Sequence, residues 1–277
     1  MQAKRATGVV KALKDVAQVA ANTPSQDLAA KLDQAIRLIE EGLHLQRVAL
    51  LDSGHVLRFQ TESALPVALA LPEAQDDFTQ KSILKARGFH RAKLLAAVQA
   101  MGLIGPQTTL CDIGANIGND VVFFGRVLGA RRIVAFEPLP LTHATLRRNL
   151  DMNGLADAHA YNCMLGEISG RGEIARFNPR NLAATSFKPV EDGPIPMVAL
   201  DDLIDAEEFN GLGFIKLDAE GAEPDILRGG VRILAAMRPT LWLTLRDGAL
   251  ADAARLLTPM GYTSQKIGPN DHVFTAK

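Results

Sequence analysis

Two cysteines in 277 residues, a single tryptophan and a net charge of −1 leave several classes of protein with little to build on. Cys111 and Cys163 are too few for a disulfide scaffold and lack nearby paired histidines, so each is expected as a small buried hydrophobe, and no metal site is expected. The near-neutral charge offers no strongly basic face, and a nucleic-acid partner is not expected. No stretch approaches the ~18 apolar residues of a membrane span. Charges interrupt Val9 to Asp15, where the apolar core of a leader peptide would lie, so a cytoplasmic protein without a membrane partner is expected. Aromatics are scarce at 5%, yet hydrophobic residues reach 47%. A core of Val, Ile, Leu and Ala suits a sheet sandwiched between helices.

Three regions follow from the patterning. Residues 1–46 read as a helical extension, with Val9, Leu13, Val16 and Ala20, then Leu28, Leu32, Ile36, Ile39 and Leu43, at helical spacing. Their apolar faces require burial on the main domain, on a second copy in a homodimer, or on a partner. Residues 47–106 form a small strand and helix lead-in: Arg47–Leu51 and His55–Phe59 around the turn Asp52-Ser53-Gly54, then Leu65–Leu71, a polar helix from Asp76, and a helix over Ala92–Met101. From residue 107 to 277 strands and helices alternate, which marks a mostly parallel α/β sheet. Strands are expected at Thr109–Asp112, Arg132–Glu137, His159–Cys163, Phe214–Asp218 and Thr240–Leu245. Thr263–Ile267 and Val273–Ala276 close the chain as an antiparallel hairpin. Residues 166–200, with four prolines, are expected as strands or a loop over one edge.

Three motifs carry chemistry. Asp112-Ile113-Gly114-Ala115-Asn116-Ile117-Gly118 puts an acid at the carboxyl end of a buried strand, then two glycines in the turn to a helix, where open α/β sheets bind ligands. Its G-x-x-x-G spacing departs from the G-x-G-x-x-G of a pyrophosphate turn. An acid at Asp112 suits a cationic ligand group better than phosphates. The second strand ends in Glu137-Pro138, where an acid can accept ribose hydroxyls. The third motif, Ile215-Lys216-Leu217-Asp218-Ala219-Glu220-Gly221-Ala222-Glu223, crowds four ionisable groups at the same edge, which is costly unless they pair or function. A structural pair between Lys216 and an acid and a functional wall both fit this segment.

Taken together, these residues resemble the FkbM-type family of S-adenosylmethionine-dependent methyltransferases. The resemblance runs from about residue 76 to 246 through DIGANIG (Asp112–Gly118) and AFEP (Ala135–Pro138). Further points of likeness are Leu146-Arg147-Arg148-Asn149-Leu150, Asn153-Gly154, Leu200–Leu203, IKLDAEGAE (Ile215–Glu223), Ile226–Gly230 and Arg238-Pro239. It implies a Rossmann-like, doubly wound methyltransferase sheet and S-adenosylmethionine as cofactor. It also implies O-methylation of a small hydroxylated acceptor, a sugar or other natural product. By the same resemblance Asp112, Gly114, Asn116 and Gly118 would cradle the methionine part, Glu137 the ribose, and Met164 the adenine.

Methyl transfer to a hydroxyl gains from a general base. Asp218 or Glu220 is expected in that role, with Lys216 holding the orientation; His90, His143 and His159 are the alternative bases, each expected first as a surface or packing residue. Two positions depart from the family pattern. Asp120 stands where a histidine often follows GANIGN, and the strand after Arg238-Pro239 runs on to Arg246 where a glutamate is common. These departures point to a distinct acceptor, or to a catalytically weak or silent methyltransferase-fold module acting in assembly or regulation.

Overall fold

The computed structural model describes residues 50–51, 55–61, 63–246 and 248–276. The helices expected within 1–46 and the turn Asp52-Ser53-Gly54 lie outside the described residues. The described chain opens with a three-stranded antiparallel sheet of β1 (Leu50–Leu51), β2 (Val56–Gln60) and β3 (Pro66–Ala70). Helices α1 (Phe78–Ala86) and α2 (Ala92–Ala100) follow. Asp77 caps α1, accepting a hydrogen bond from the Gln80 amide at 2.8 Å.

The alternating region begins with β4 (Thr109–Ile113), α3 (Asn119–Arg126), β5 (Arg132–Phe136), α4 (Pro140–Met152) and β6 (His159–Tyr161). It resumes with β11 (Leu212–Leu217), α5 (Glu223–Arg228), α6 (Val231–Met237), β12 (Thr240–Thr244), α7 (Ala249–Leu257), β13 (Tyr262–Lys266) and β14 (Asp271–Ala276). These strands form a seven-stranded sheet in the order β13-β14-β12-β11-β4-β5-β6. Only β14 runs against the others, pairing antiparallel with β12 and β13, so the expected C-terminal hairpin is present. The chain winds outward from β4 to β6 and returns to β11 on the other side. The switch point therefore lies between the carboxyl ends of β4 and β11, where ligands of such sheets bind.

Strand alternation divides the core into two layers. Leu110, Ala135, Phe214 and Trp242 face α3, α4 and the lead-in segment, whereas Cys111, Val134, Ile215 and Leu241 face α5, α6 and α7. All five residues of β4 are buried, as a parallel strand covered on both faces requires. Asp112 and Lys216 fall on the first face at the carboxyl edge, in register with each other, and Lys216 is in register with Trp242. A polar stripe thus crosses an otherwise apolar layer.

The proline-rich region is a second sheet of β7 (Met164–Gly166), β8 (Gly170–Arg176), β9 (Ser186–Val190) and β10 (Ile195–Ala199), ordered β7-β10-β8-β9. Pro189 sits on the edge strand, where a missing N–H breaks no ladder. The third parallel strand ends two residues earlier than expected. Asn162 donates its side-chain amide to the carbonyls of Glu137 (2.8 Å) and Pro138 (3.1 Å), turning the chain out of the large sheet toward β7. Among the described residues no helix is long and apolar enough to cross a membrane.

Asn149 of α4 and Asn153, which caps the end of that helix, hold the lead-in sheet in place. The Asn149 carbonyl accepts from the Ala70 amide (2.6 Å), and its amide donates to the Ile117 carbonyl (2.7 Å). Asn153 does the same for Ala68, at 3.0 Å as acceptor and 2.6 Å as donor. Asn149 is fully buried, so its removal strands a strand N–H and a turn carbonyl without water. Asn149→Ala is expected to lower unfolding stability by about 3 kcal/mol, at the scale of leaving buried polar groups unsatisfied. Urea denaturation checks it, and a loss below ~1 kcal/mol would mean the asparagine is not a structural tie.

Candidate active site

A cleft of ≈ 990 Å³, open to solvent, lies over the switch point. Its walls come from the β4–α3 turn, the end of β5, β7, the end of β11, and the lead-in residues Thr79, His90 and Arg91. Of the residues singled out in the sequence, Gly114, Asn116, Glu137, Met164, Lys216, Asp218 and Glu220 line this cleft together.

Asp112 and Gly118, expected at the methionine part of the cofactor, are not among the lining residues. Asp112 is fully buried beneath the floor, where it accepts from Lys216 Nζ at 3.1 Å. Gly118 begins α3 at φ +81°, and a Cβ there would stand 2.5 Å from Leu146 Cδ1, so that glycine serves helix packing. Gly114, also at φ +81°, lies against β11: a Cβ would come within 2.0 Å of the Asp218 carbonyl oxygen. The chain's own close approach accounts for both glycines.

Lys216 is the centre of the floor. Its ammonium lies 3.1 Å from Asp112 Oδ1 and 3.4 Å from Asp120 Oδ2, with a side chain only 4% exposed. Burial works to strip its proton, but Asp112, Asp120 and Asp218 outweigh it and raise the pKa, so the ammonium stays charged. Burial pushes the Asp112 carboxyl up to about 6, against the pull of Lys216. Asp112 Oδ2 remains without a hydrogen-bond partner among the described residues. Asp120, where the family often has histidine, is thus the second carboxylate that compensates Lys216. Its other oxygen accepts from Asn119 Nδ2 at 2.6 Å.

A second cation, Arg91, sits one step further out. Its guanidinium donates to Asp218 Oδ2 at 2.9 Å and to Asp271 Oδ1, and lies 5.3 Å from the Trp242 ring centroid. Asp271 also accepts from Trp242 Nε1 (3.0 Å) and Thr244 Oγ1 (3.1 Å). Arg246, the other departure from the family pattern, makes a two-pronged pair with Glu220 at 2.9 Å for each contact. Burial raises the Glu220 pKa although Arg246 opposes it. Glu223 turns away from the cleft and accepts from the Ala219 amide (2.8 Å) and Gly221 amide (3.0 Å), stitching the loop.

Glu137 is buried, and burial raises its pKa against three hydrogen bonds. It accepts from Thr142 Oγ1 (2.7 Å), the Leu139 amide (2.9 Å) and the Asn116 amide (2.8 Å). The last bond fixes the glycine turn to the end of β5. Asn116 Oδ1 is buried at the cleft with no partner among the described residues, an acceptor that needs a donor. Phe136, Pro138, Cys163, Met164 and Leu165 make an apolar slot beside Glu137. Both cysteines are buried and free.

Backbone conformation marks the same place. Among the described residues seven non-glycine residues have positive φ, and three of them, Arg91 (54°), Asn116 (50°) and Glu220 (51°), line this cleft. Such conformations cost energy and gather where function demands them. Sequence reasoning missed Arg91, Asn119 and Thr79 and kept His90 only as an alternative base. The available signal was the helix start at Ala92, where a positively charged residue stands in the position usually taken by a capping Ser, Thr, Asp or Asn.

Removing one partner of a buried ion pair strands the other. Lys216→Met is expected to lower stability by about 3–5 kcal/mol at pH 8. The deficit should shrink at pH 5. Asp112 already has a folded pKa above its unfolded value, so its proton stabilises the folded chain at low pH and that contribution is lost as pH rises through about 6. Without Lys216 that pKa climbs further. Urea midpoints at the two pH values check this, and equal deficits at both would contradict it.

The family model for the methyltransferase FkbM domain matches residues 112–262, more than half of the chain. Methyltransferase 1 of Beauveria bassiana (strain ARSEF 2860) is 28% identical over 144 residues, covering 43% of this chain and 57% of that protein. The 2-O-methyltransferase NoeI of Sinorhizobium fredii (strain NBRC 101917 / NGR234) is 27% identical over 156 residues, 48% of this chain and 61% of that protein. The chain thus spans about three fifths of the length of these curated relatives. The crystal structure of a methyltransferase FkbM from Methylobacillus flagellatus KT superposes with a TM-score of 0.46 at 24% identity, over 61% of this chain and 44% of that one. With the matched domain opening at Asp112 and running past the Lys216 floor to Tyr262, the chain belongs to the FkbM methyltransferase domain family.

Proposed function

We propose that the cleft binds S-adenosylmethionine and that the protein methylates a hydroxyl of a small acceptor, a saccharide or another natural product. The observation that carries this reading is the juxtaposition of Glu137, the unpartnered Asn116 Oδ1 and the apolar slot around Met164 in one cleft. A ribose calls for a carboxylate with spare lone pairs, an ammonium for a bare acceptor, and an adenine for a flat apolar slot. Glu137 Oε2 accepts one hydrogen bond only, from the Asn116 amide, which leaves it capacity for hydroxyls. When bound, S-adenosylmethionine supplies an electrophilic methyl group on a sulfonium.

The chain's own residues do the remaining work. Glu137 and Asn116 orient the polar parts of the cofactor, with Gly114 keeping the turn close to β11. Met164, Phe136 and Leu165 exclude water from the adenine side. Lys216 and the wall of Asp218 and Glu220 shape the acceptor side, where Arg91 and Arg246 hold the two carboxylates in place. Holding an acceptor in line with the methyl group supplies much of the rate in such transfers. Thr79, Thr185, Leu182 and Phe187 complete that side with two hydroxyls among apolar surfaces, which fits a small acceptor carrying both hydroxyls and carbon skeleton.

The silent-module reading drew on the departures at Asp120 and Arg246. Both residues have partners here, Lys216 and Glu220, so neither leaves an unpaired charge that would weaken the site.

Calorimetric titration with S-adenosylhomocysteine tests the reading. Binding in the micromolar range is expected, weakened about tenfold or more by Glu137→Ala, as loss of a charged hydrogen bond implies. A folded protein that binds neither this product nor S-adenosylmethionine would overturn it.

A further inference from the structure

We propose that His90 is the base that takes the proton from the acceptor hydroxyl, with Ser82 selecting its tautomer; the inference rests on the methyltransferase reading of the same cleft. The candidates expected for this role are already engaged. Asp218 is held by Arg91 and Glu220 by two contacts from Arg246, so each carboxylate faces a fixed cation. His90 lines the same cleft and stands apart from those pairs.

Its geometry is that of an oriented base. The backbone is clamped by Asn119, which accepts from the His90 amide at 2.8 Å. The ring rests edge-on against Phe78, with centroids 6.5 Å apart and planes at 85°. Nδ1 lies 3.0 Å from Ser82 Oγ, while Nε2 has no hydrogen-bond partner among the described residues. With Nδ1 carrying the hydrogen and donating it to Ser82, Nε2 keeps a bare lone pair on a residue that lines the cleft. A base oriented by a third group is the general logic of activated hydroxyls.

The charges around the ring fit the role. Burial lowers the His90 pKa, so the imidazole is neutral at pH 7 and free to accept a proton. Asp120 of α3, Asp218 at the end of β11 and Asp77 at the start of α1 oppose that shift, and neighbouring Arg91 reinforces it. The same three carboxylates would stabilise the imidazolium once formed. In the transfer the acceptor O–H bond breaks, its proton goes to Nε2, and the oxygen pair forms the new bond to methyl carbon. The pair of the broken carbon–sulfur bond stays on sulfur, and the imidazolium later yields its proton to water.

Long-range nitrogen–proton NMR of the full chain labelled at histidine nitrogens, with S-adenosylhomocysteine bound, reads the tautomer directly. His90→Gln assigns the signal among the six histidines. The expected result is a hydrogen on Nδ1, a bare Nε2 and a titration midpoint below 6.5. Ser82→Ala should move the hydrogen toward Nε2. A hydrogen on Nε2 in the wild-type protein, or a midpoint above 6.5, would overturn the proposal. His90→Gln should bind S-adenosylhomocysteine as the wild type does; if it loses binding, His90 is a cofactor ligand and the proposal falls while the cofactor site stands. If the wild type does not bind, the methyltransferase reading itself fails and this proposal with it. In transfer of labelled methyl to a panel of monosaccharides and phenols, His90→Gln should lower kcat by about 10²–10⁴-fold, the usual contribution of a general base. Wild-type turnover in that variant would overturn the assignment.

Discussion

Keeping Lys216 charged inside the sheet is the constraint around which the rest of this site is arranged. An ammonium only 4% exposed is tolerable only with carboxylates close by, and the chain supplies Asp112 from the neighbouring strand and Asp120 from the first turn of α3. Those two contacts fix where α3 begins relative to β4 and β11, and hence the shape of the turn between them. That turn is tight enough that Gly114 touches the Asp218 carbonyl, and Asn116 is driven to positive φ with its side-chain oxygen left bare at the cleft. Electrostatic compensation on one side of the floor thus sets backbone geometry on the other.

The second charge network extends the same logic outward. Arg91 arrives from the lead-in segment and bridges Asp218 to Asp271, with its guanidinium on Trp242. Asp271 binds Trp242 and Thr244 as well, so the lead-in chain, β12 and β14 meet at one carboxylate. The segment before the parallel sheet is therefore part of the cleft wall. It carries Thr79, His90 and Arg91 into the cleft while Asn149 and Asn153 secure its strands. The small sheet reaches the cleft too, through Met164 and Leu165 of β7 and Phe187 of β9.

Legibility in the sequence followed the range of the interactions. Strand alternation exposed the parallel sheet and its C-terminal hairpin, because buried strands write their pattern locally. DIGANIG, AFEP and IKLDAEGAE marked the carboxyl edge, since each is a strand end carrying an acid. Arg91 stayed hidden because its partners lie 127 and 180 residues away, and nothing near it in the chain signals them. Asp120 looked like a departure from a pattern until Lys216 appeared 3.4 Å from it. The two glycines stood out as a turn, but the residues they pack on, Asp218 and Leu146, lie outside the motif and could not be read from it. For the 166–200 region, strands and a loop stayed equally open, because β8 and β9 carry only one buried residue between them and prolines interrupt the alternation.

A crystal structure of the protein with S-adenosylhomocysteine would test the central claim, that the cleft between the ends of β4 and β11 is the cofactor site, most directly. Density is expected in that cleft, with ribose hydroxyls on the Glu137 carboxylate, a polar group meeting Asn116 Oδ1, and the adenine among Phe136, Met164 and Leu165. Density elsewhere on the molecule, or a ligand that leaves Glu137 and Asn116 untouched, would contradict it.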